Sequence, residues 1–228
     1  MDSDDTIPAE CGRQLRALVD PEIDPSVLGY VMQVHCPGGG ENGDPETDVT
    51  VVDHVKLIRN RPDLRFEGRI HEQILPAIRR ASGTVAWTDL YVVHSGSDPS
   101  PEAQEQKRRR DLHILYFELR ERPEHPFTLF NLGMTYADGS RFEEAEEFLK
   151  RSIGQSAPEE SHLRKAYALL VYAQMRQGRP EEALTTCRWA RGLFTQDVEL
   201  RFREGVISGR CFGAPQPGYV ALAIQAVR

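Results

Sequence analysis

The stretch from 129 to 136 reads Leu-Phe-Asn-Leu-Gly-Met-Thr-Tyr, and Arg-Phe-Glu-Glu-Ala follows at 141–145. Its small residues stand where two antiparallel helices would approach closely, and its large residues would fill the groove between those helices. A looser copy follows, and its Ala183 comes 38 residues after Ala145 (183 − 145 = 38). The pattern therefore predicts a stack of helical hairpins at this end of the chain.

The spacing of Leu-Gly, Tyr and Ala in this stretch is that of the tetratricopeptide repeat. A third, degraded unit is predicted over 198–209 and 219–227. Such a stack offers a concave surface to a protein or peptide partner, and it does not by itself imply catalysis. An ordinary bundle of helical hairpins is the alternative interpretation.

Before residue 100 the chain has a different character, because short β-branched runs alternate with helical spacing. We predict strands at 27–36, within 48–60 and at 85–94, with helices at 8–20 and 71–80. After a hinge rich in Ser, Gly and Pro, one long helix is predicted over 102–122. The predicted fold class is an α/β N-terminal part followed by an all-α array of helical hairpins. The domains expected are 1–100, a linking helix at 101–125, and repeats at 126–228.

Composition excludes several classes of protein. The net charge is −7, which argues against a general nucleic-acid binder. Four cysteines are widely spaced without a Cys-x-x-Cys pair, which favours reduced thiols over a disulfide framework or a zinc site. No run approaches 18 apolar residues and no secretory signal is seen, so we expect a cytoplasmic protein without a transmembrane segment.

Two separated pieces of the sequence carry residue types that bind metals. Asp2 and Asp4 are carboxylates two residues apart, a spacing that can chelate a hard divalent cation. His94 ends an apolar strand just before a Ser-Gly-Ser turn, where one imidazole nitrogen can act as a ligand. The alternatives are an acidic helix N-terminus for the carboxylates and a strand-end histidine satisfied by backbone groups.

The segment 65–74 packs two arginines, two glutamates and one histidine into ten residues. Glu72 is the candidate general base of this segment, while Arg69 and His71 beside it are candidates for substrate binding. The alternative is a surface glutamate that forms an ion pair with Arg69.

A basic run, Lys-Arg-Arg-Arg, lies at 107–110 near the start of the predicted long helix. It could contact a diphosphate or an acidic membrane surface. A solvated helical face is the alternative.

Four stretches, in this order and spacing, resemble parts of a family 2 glycosyltransferase with a tetratricopeptide tail. Residues 2–10, Asp-Ser-Asp-Asp-Thr-Ile-Pro-Ala-Glu, resemble the Asp-x-Asp loop of that family. Residues 66–74, Phe-Glu-Gly-Arg-Ile-His-Glu-Gln-Ile, resemble the acceptor-side segment with the catalytic acid. Residues 89–96, Asp-Leu-Tyr-Val-Val-His-Ser-Gly, resemble the strand that ends in a metal-binding histidine, and 107–112 resemble the basic start of the helix before the repeats.

The resemblance implies a GT-A fold, a nucleotide-sugar donor, an acceptor hydroxyl, and a divalent metal, commonly Mg²⁺ or Mn²⁺. It places Asp2 and Asp4 on the metal that holds the donor diphosphate, and His94 in the same metal's coordination shell. It assigns to Glu72 the removal of the acceptor proton, in a single displacement that inverts the anomeric centre.

In that family a nucleotide-binding half precedes the Asp-x-Asp loop, whereas here the loop begins at the second residue, so we expect this chain to correspond to the later part of such an enzyme. A non-catalytic tetratricopeptide adaptor, with a protein or peptide partner on the repeats, is the alternative function. A weaker third hypothesis is a metal hydrolase that uses Asp2, Asp4, His71 and His94.

Overall fold

The computed structural model describes residues 4–18, 24–37, 49–96 and 100–212. Its contacts divide the chain into two compact units, Met1–Pro99 and Ser100–Arg228. The first unit combines a sheet with helices, and the described part of the second is all-α. The predicted fold class, an α/β part followed by an array of helical hairpins, is therefore confirmed. Among the described helices, none has the length and apolar character that crossing a bilayer requires.

A small mixed sheet forms the centre of the first unit. Its described elements are β1 (Asp5–Thr6), α1 (Ala9–Ala17), β2 (Val27–Pro37), β3 (Val49–Ile58), α2 (Leu75–Arg80) and β4 (Thr84–His94). The strand order is β1-β4-β2-β3, in which β4 and β2 are parallel while β1 and β3 run antiparallel to their neighbours. The strands predicted at 27–36 and 85–94 are confirmed, and the strand pattern predicted within 48–60 forms the single strand β3.

Each helix of the first unit covers its own apolar cluster. Helix α1 buries one group of side chains against β2 and β4, namely Cys11, Met32, Val34, Leu90 and Val92. Helix α2 buries a second group together with the segment before it, namely Leu28, Leu64, Ile74, Ala77 and Ile78. A Cβ at Gly83 would lie 2.2 Å from the Cδ1 of Leu28, so only glycine permits this approach at the turn into β4.

The helix predicted over 71–80 is wrong at its start, because α2 begins at Leu75. The backbone of His71 has φ 54°, in the left-handed region that no α-helix uses. Glu67 and Gln73 pair instead as an isolated antiparallel bridge, through N–H to O=C hydrogen bonds of 2.9 and 2.8 Å. Ile70, Ile74 and Ile78 have the spacing of a helix, but Ile70 lies in the turn that the Glu67–Gln73 bridge closes.

The second unit begins with the long helix α3 (Pro101–Glu121), which confirms the helix predicted over 102–122. The helices that follow are α4 (Pro126–Asp138), α5 (Phe142–Gln155), α6 (Leu163–Arg176), α7 (Pro180–Leu193) and α8 (Val198–Phe212). Consecutive helices pack on one another along the array. The predicted helical segment at 219–227 lies outside the described residues.

The turns of the two hairpins repeat the same backbone geometry 38 residues apart. Ser140 (φ 58°) occupies the position that Gly178 (φ 73°) takes in the second hairpin, since 178 − 140 = 38. Arg141 N–H donates to the carbonyl of Tyr136 at 2.9 Å, and Arg179 N–H donates to that of Gln174 at 3.0 Å. The backbone hydrogen bonds at the two turns thus repeat with the same 38-residue spacing as the two alanines, Ala145 and Ala183.

Close helix packing within the first hairpin depends on a small residue. A Cβ placed on Gly133 of α4 would lie 2.6 Å from the Cγ of Leu149 and 3.2 Å from the carbonyl oxygen of Ala145, both on α5. Leu149 and Ala145 are fully buried. The glycine and alanine of the opening stretch therefore do set the approach of the two helices.

Candidate functional site

Two carboxylates and one imidazole meet where β1 pairs with the end of β4. The antiparallel register sets Asp5 directly opposite His94, although the two are 89 residues apart in sequence. Asp4 precedes Asp5, and its carbonyl oxygen accepts hydrogen bonds from both the backbone N–H and the hydroxyl of Ser95. The metal-ligand atoms of Asp4, Asp5 and His94 all lie within 4.8 Å of one another.

The two carboxylates of this cluster have different surroundings. Asp5 has a fully buried side chain, and its Oδ1 lies 3.0 Å from the Nδ1 of His94. Asp4 has a side chain that is 35% exposed, and its Oδ1 lies 3.5 Å from the same nitrogen. His94 itself is 29% exposed. Asp4 and His94 are therefore accessible from solvent, whereas Asp5 is a buried group behind them.

A lysine on β3, the edge strand opposite β1, completes the cluster. Lys56 of β3 donates from its Nζ to the Oδ2 of Asp5 at 2.8 Å, and its side chain is only 12% exposed. A buried carboxylate requires such a counter-charge, because an unpaired charge in an apolar surrounding is very unfavourable. Both oxygens of Asp5 are thus engaged, one by Lys56 and one by His94.

Cys36 lies close enough to the cluster for the charges of Asp5, Lys56 and Asp4 to change the pKa of its thiol. Burial raises the pKa of the Cys36 thiol above its ordinary value, and the negative charge of Asp5 raises it further, while Lys56 lowers it and Asp4 adds a small increase. The pKa of the Cys36 thiol therefore depends on the charges of the cluster.

The segment predicted to carry the general base forms a separate, closed turn. The Glu67–Gln73 bridge closes it, and Gly68 (φ 92°) and His71 (φ 54°) bend the chain inside it. Arg80 of α2 forms an ion pair with Glu67, which ties the base of the turn to the helix. The side-chain amide of Gln73 donates to the carbonyl of His71 at 3.2 Å, which stabilises the bend.

The three residues predicted to act on substrate are exposed in this turn. Arg69, His71 and Glu72 all have exposed side chains. Glu72 has no side-chain partner among the described residues, so the expected alternative, an ion pair with Arg69, is not formed. His71 and Glu72 are not members of the ligand cluster at His94. The hydrolase hypothesis, which needs His71 as a ligand, gains no support from this placement.

Of the three predicted metal ligands, the structure brings Asp4 and His94 together, and Asp2 lies outside the described residues. Sequence reasoning did not place Asp5 against His94, and it did not include Lys56 in the cluster. A signal for Lys56 existed, since it is a basic residue between two apolar residues, Val55 and Leu57, in a predicted strand. Which carboxylate faces His94 depends on the β1–β4 register, which the sequence does not contain.

The basic run at 107–110 is occupied by intrahelical ion pairs on α3. Arg108 and Arg109 both bind Glu105, with N–O distances of 2.9 and 2.8 Å, and Arg110 binds Asp111 at 2.9 Å. These contacts agree with the alternative interpretation of the run as a solvated helical face.

The donor set at the cluster fits a divalent cation. Carboxylate oxygens together with one imidazole nitrogen suit Mn²⁺ and Mg²⁺ better than a thiolate-rich set would. Asp4 and His94 would be the ligands, since they are the accessible members and Asp5 is already engaged on both oxygens.

Comparison with known proteins connects part of the chain to a sugar-transferring enzyme. No protein-family model matches the chain. Similar curated proteins include the SPbeta prophage-derived glycosyltransferase SunS of Bacillus subtilis (strain 168) and the glycosyltransferase SunS of Bacillus phage SPbeta. Each is 30% identical over 98 residues, which is 43% of this chain and 23% of theirs. The chain thus matches less than a quarter of the length of these relatives, and over that part it is distantly related to a glycosyltransferase.

Among solved structures, the MamA RS-1 ArsTM double mutant overlaps 57% of this chain and 75% of its own, at 16% identity. The TM-score of 0.43 is too low for the overlap to support any assignment.

Proposed function

We propose that the chain carries the metal-binding and acceptor-side elements of a family 2-type glycosyltransferase with a GT-A fold, followed by tetratricopeptide repeats. The observation that carries this proposal is the grouping of Asp4, Asp5 and His94 where β1 pairs with the end of β4, with their possible ligand atoms within 4.8 Å of one another. The partial similarity to a glycosyltransferase supports the same class of reaction.

In this proposal Asp4 and His94 hold a divalent cation, Mn²⁺ or Mg²⁺, together with Asp2. When bound, such a cation offsets the negative charge of a nucleoside diphosphate leaving group. The donor is a nucleotide sugar, and the cluster binds its diphosphate end. The partial exposure of Asp4 and His94 gives that diphosphate access to the cluster.

The exposed turn closed by Glu67 and Gln73 supplies the acceptor side. Glu72 accepts the proton of the acceptor hydroxyl, so that the oxygen attacks the anomeric carbon as the bond to the diphosphate breaks. Arg69 and His71, exposed on the same turn, hold the acceptor. Because one base suffices and no covalent intermediate is needed, the transfer inverts the anomeric centre.

The test is transfer by the full chain with Mn²⁺ and a panel of nucleotide sugars, measured as release of nucleoside diphosphate. We expect Glu72→Gln to lower transfer by about 10²- to 10⁴-fold, the usual contribution of a general base. The fold should survive, because Glu72 is exposed without a described partner. The matched control is Glu143→Gln, an exposed glutamate of α5. Transfer that persists in Glu72→Gln would remove Glu72 from the role of base.

The second candidate function is a non-catalytic adaptor that binds a peptide on its helical hairpins. The repeated turn geometry at Ser140 and Gly178 favours it, because regular hairpin repeats build extended binding surfaces. Selection of peptides on the full chain, followed by hydrogen exchange, would test it. Protection confined to α4–α8 and unchanged by His94→Ala supports the adaptor, whereas protection lost in that variant contradicts it.

A further inference from the structure

We propose that Asp5 and Lys56 are positioning residues for His94, and that they hold its imidazole with the proton on Nδ1 and the lone pair on Nε2 available to a metal ion. The inference deepens the proposed function and rests on it for the metal. Neither residue was expected from the sequence to act on His94.

The donors and acceptors around His94 determine which of its two ring nitrogens carries the proton. An ionised carboxylate can only accept, so at 3.0 Å from the Oδ1 of Asp5 the Nδ1 of His94 must donate. Lys56, whose ammonium has donors only, takes the Oδ2 of Asp5 at 2.8 Å. Lys56 thereby occupies one oxygen of the carboxylate, and the other oxygen faces the imidazole.

Burial makes this arrangement rigid. The Asp5 side chain is 0% exposed and that of Lys56 is 12% exposed, so water competes little for either group. The cross-strand register of β1 and β4 sets Asp5 opposite His94, and thus fixes the backbone on both sides of the bond. A carboxylate behind a histidine commonly sets the tautomer and the ring orientation of a metal ligand.

The direct test is the ¹⁵N–¹H NMR spectrum of the histidine rings in the metal-free full chain at about pH 8.5, about two units above the ordinary pKa of an imidazole. The His94 signals are assigned by their loss in His94→Gln. We expect a protonated Nδ1 and an unprotonated Nε2. An unprotonated Nδ1 in the wild type would overturn the inference.

Asp5→Asn provides a sharper readout than loss of stability. Because Lys56 only donates, it would take the amide oxygen and leave the NH₂ group facing Nδ1. The proton of His94 should therefore move to Nε2, and the affinity for Mn²⁺ should fall about 10- to 100-fold. The matched control is Asp53→Asn, an exposed aspartate on β3, which should change neither property. An Asp5→Asn protein that folds and keeps its proton on Nδ1 would contradict the role of Asp5.

If Asp5→Asn does not fold, Lys56→Arg is the second variant, since it retains the counter-charge and should retain the Nδ1 proton. Loss of that proton in a folded Lys56→Arg chain would argue against the positioning role. A wild type with the proton on Nδ1 but without Mn²⁺ affinity would overturn the metal role of the cluster. It would still support the hold of Asp5 and Lys56 on His94, so the two failures are distinguishable.

Discussion

Glu146 of α5 links the first hairpin to the turn of the second, and its removal should weaken the array. Its side chain is 9% exposed and contacts Lys150 on its own helix at 2.7 Å. Gln177 donates to its Oε2 at 2.8 Å, and Arg179 forms an ion pair with the same oxygen. Burial by itself would raise the pKa of this carboxyl, but the three partners together lower it to about 2.

The size of the stabilisation that Glu146 provides follows from that pKa. Lowering it from 4.5 to about 2 corresponds to roughly 3 kcal/mol of preference for the ionised form, at about 1.4 kcal/mol per pKa unit. The carboxyl is nearly buried, so solvent screens these interactions little. We therefore expect Glu146→Gln to lower the free energy of unfolding by about 2 to 3 kcal/mol at pH 7, measured by urea denaturation.

The dependence on pH has a definite sign. Because the folded-state pKa of Glu146 is lower than its ordinary value, the stabilisation is complete well above pH 4.5 and is lost as the pH falls through about 2. The difference between wild type and Glu146→Gln should fall to about half by about pH 3.

The matched control is Glu147→Gln on the same helix, where the side chain is 64% exposed and contacts Arg151 at 3.5 Å. An exposed pair of this kind contributes about 0 to 1 kcal/mol. If Glu146→Gln weakens the fold no more than Glu147→Gln, or if its effect is the same at pH 7 and pH 3, the reasoning is refuted.

Two further predictions concern the helix packing and the cluster at His94. Gly133→Ala should lower the free energy of unfolding by about 1 to 3 kcal/mol, because the added methyl group would overpack against α5. The control is Gly154→Ala, which has open space around its Cβ and should raise the free energy of unfolding by about 0.5 to 1 kcal/mol. Equal effects of the two substitutions on urea denaturation would contradict this close packing at Gly133. Mn²⁺ should speed alkylation of Cys36 several-fold at about pH 8 by lowering its pKa, as followed by peptide mass spectrometry. That increase should be absent in His94→Ala, and a rate insensitive to Mn²⁺ in the wild type would argue against a cation beside Cys36.

The fold was predictable wherever a local pattern reports on burial. Strands β2 and β4 follow from their β-branched and aromatic runs, and the hairpins follow from the repeated small residues. The failure at 71–80 has a physical cause. Ile70, Ile74 and Ile78 have helical spacing, but the left-handed backbone of His71 and the Glu67–Gln73 bridge make a closed turn before the helix begins.

The candidate site was only partly predictable for a related reason. Residue type and strand position pointed to Asp4 and His94, and these two do meet. The pairing of Asp5 with His94 depends on a register across 89 residues, and the contact with Lys56 depends on the order of the strands. Neither property is encoded in a local pattern, so Asp5 and Lys56 emerge only from the folded sheet.

Calorimetric titration of the full chain with a panel of nucleoside diphosphates, with and without Mn²⁺, tests directly whether Asp4 and His94 form a metal site. We expect a diphosphate to bind only when Mn²⁺ is present, and we expect His94→Ala to abolish this binding while leaving the fold intact. Diphosphate binding of equal strength without Mn²⁺, or in His94→Ala, would contradict the assignment of Asp4 and His94 as the metal site. Absence of binding under every condition would contradict the proposed transferase and favour the adaptor.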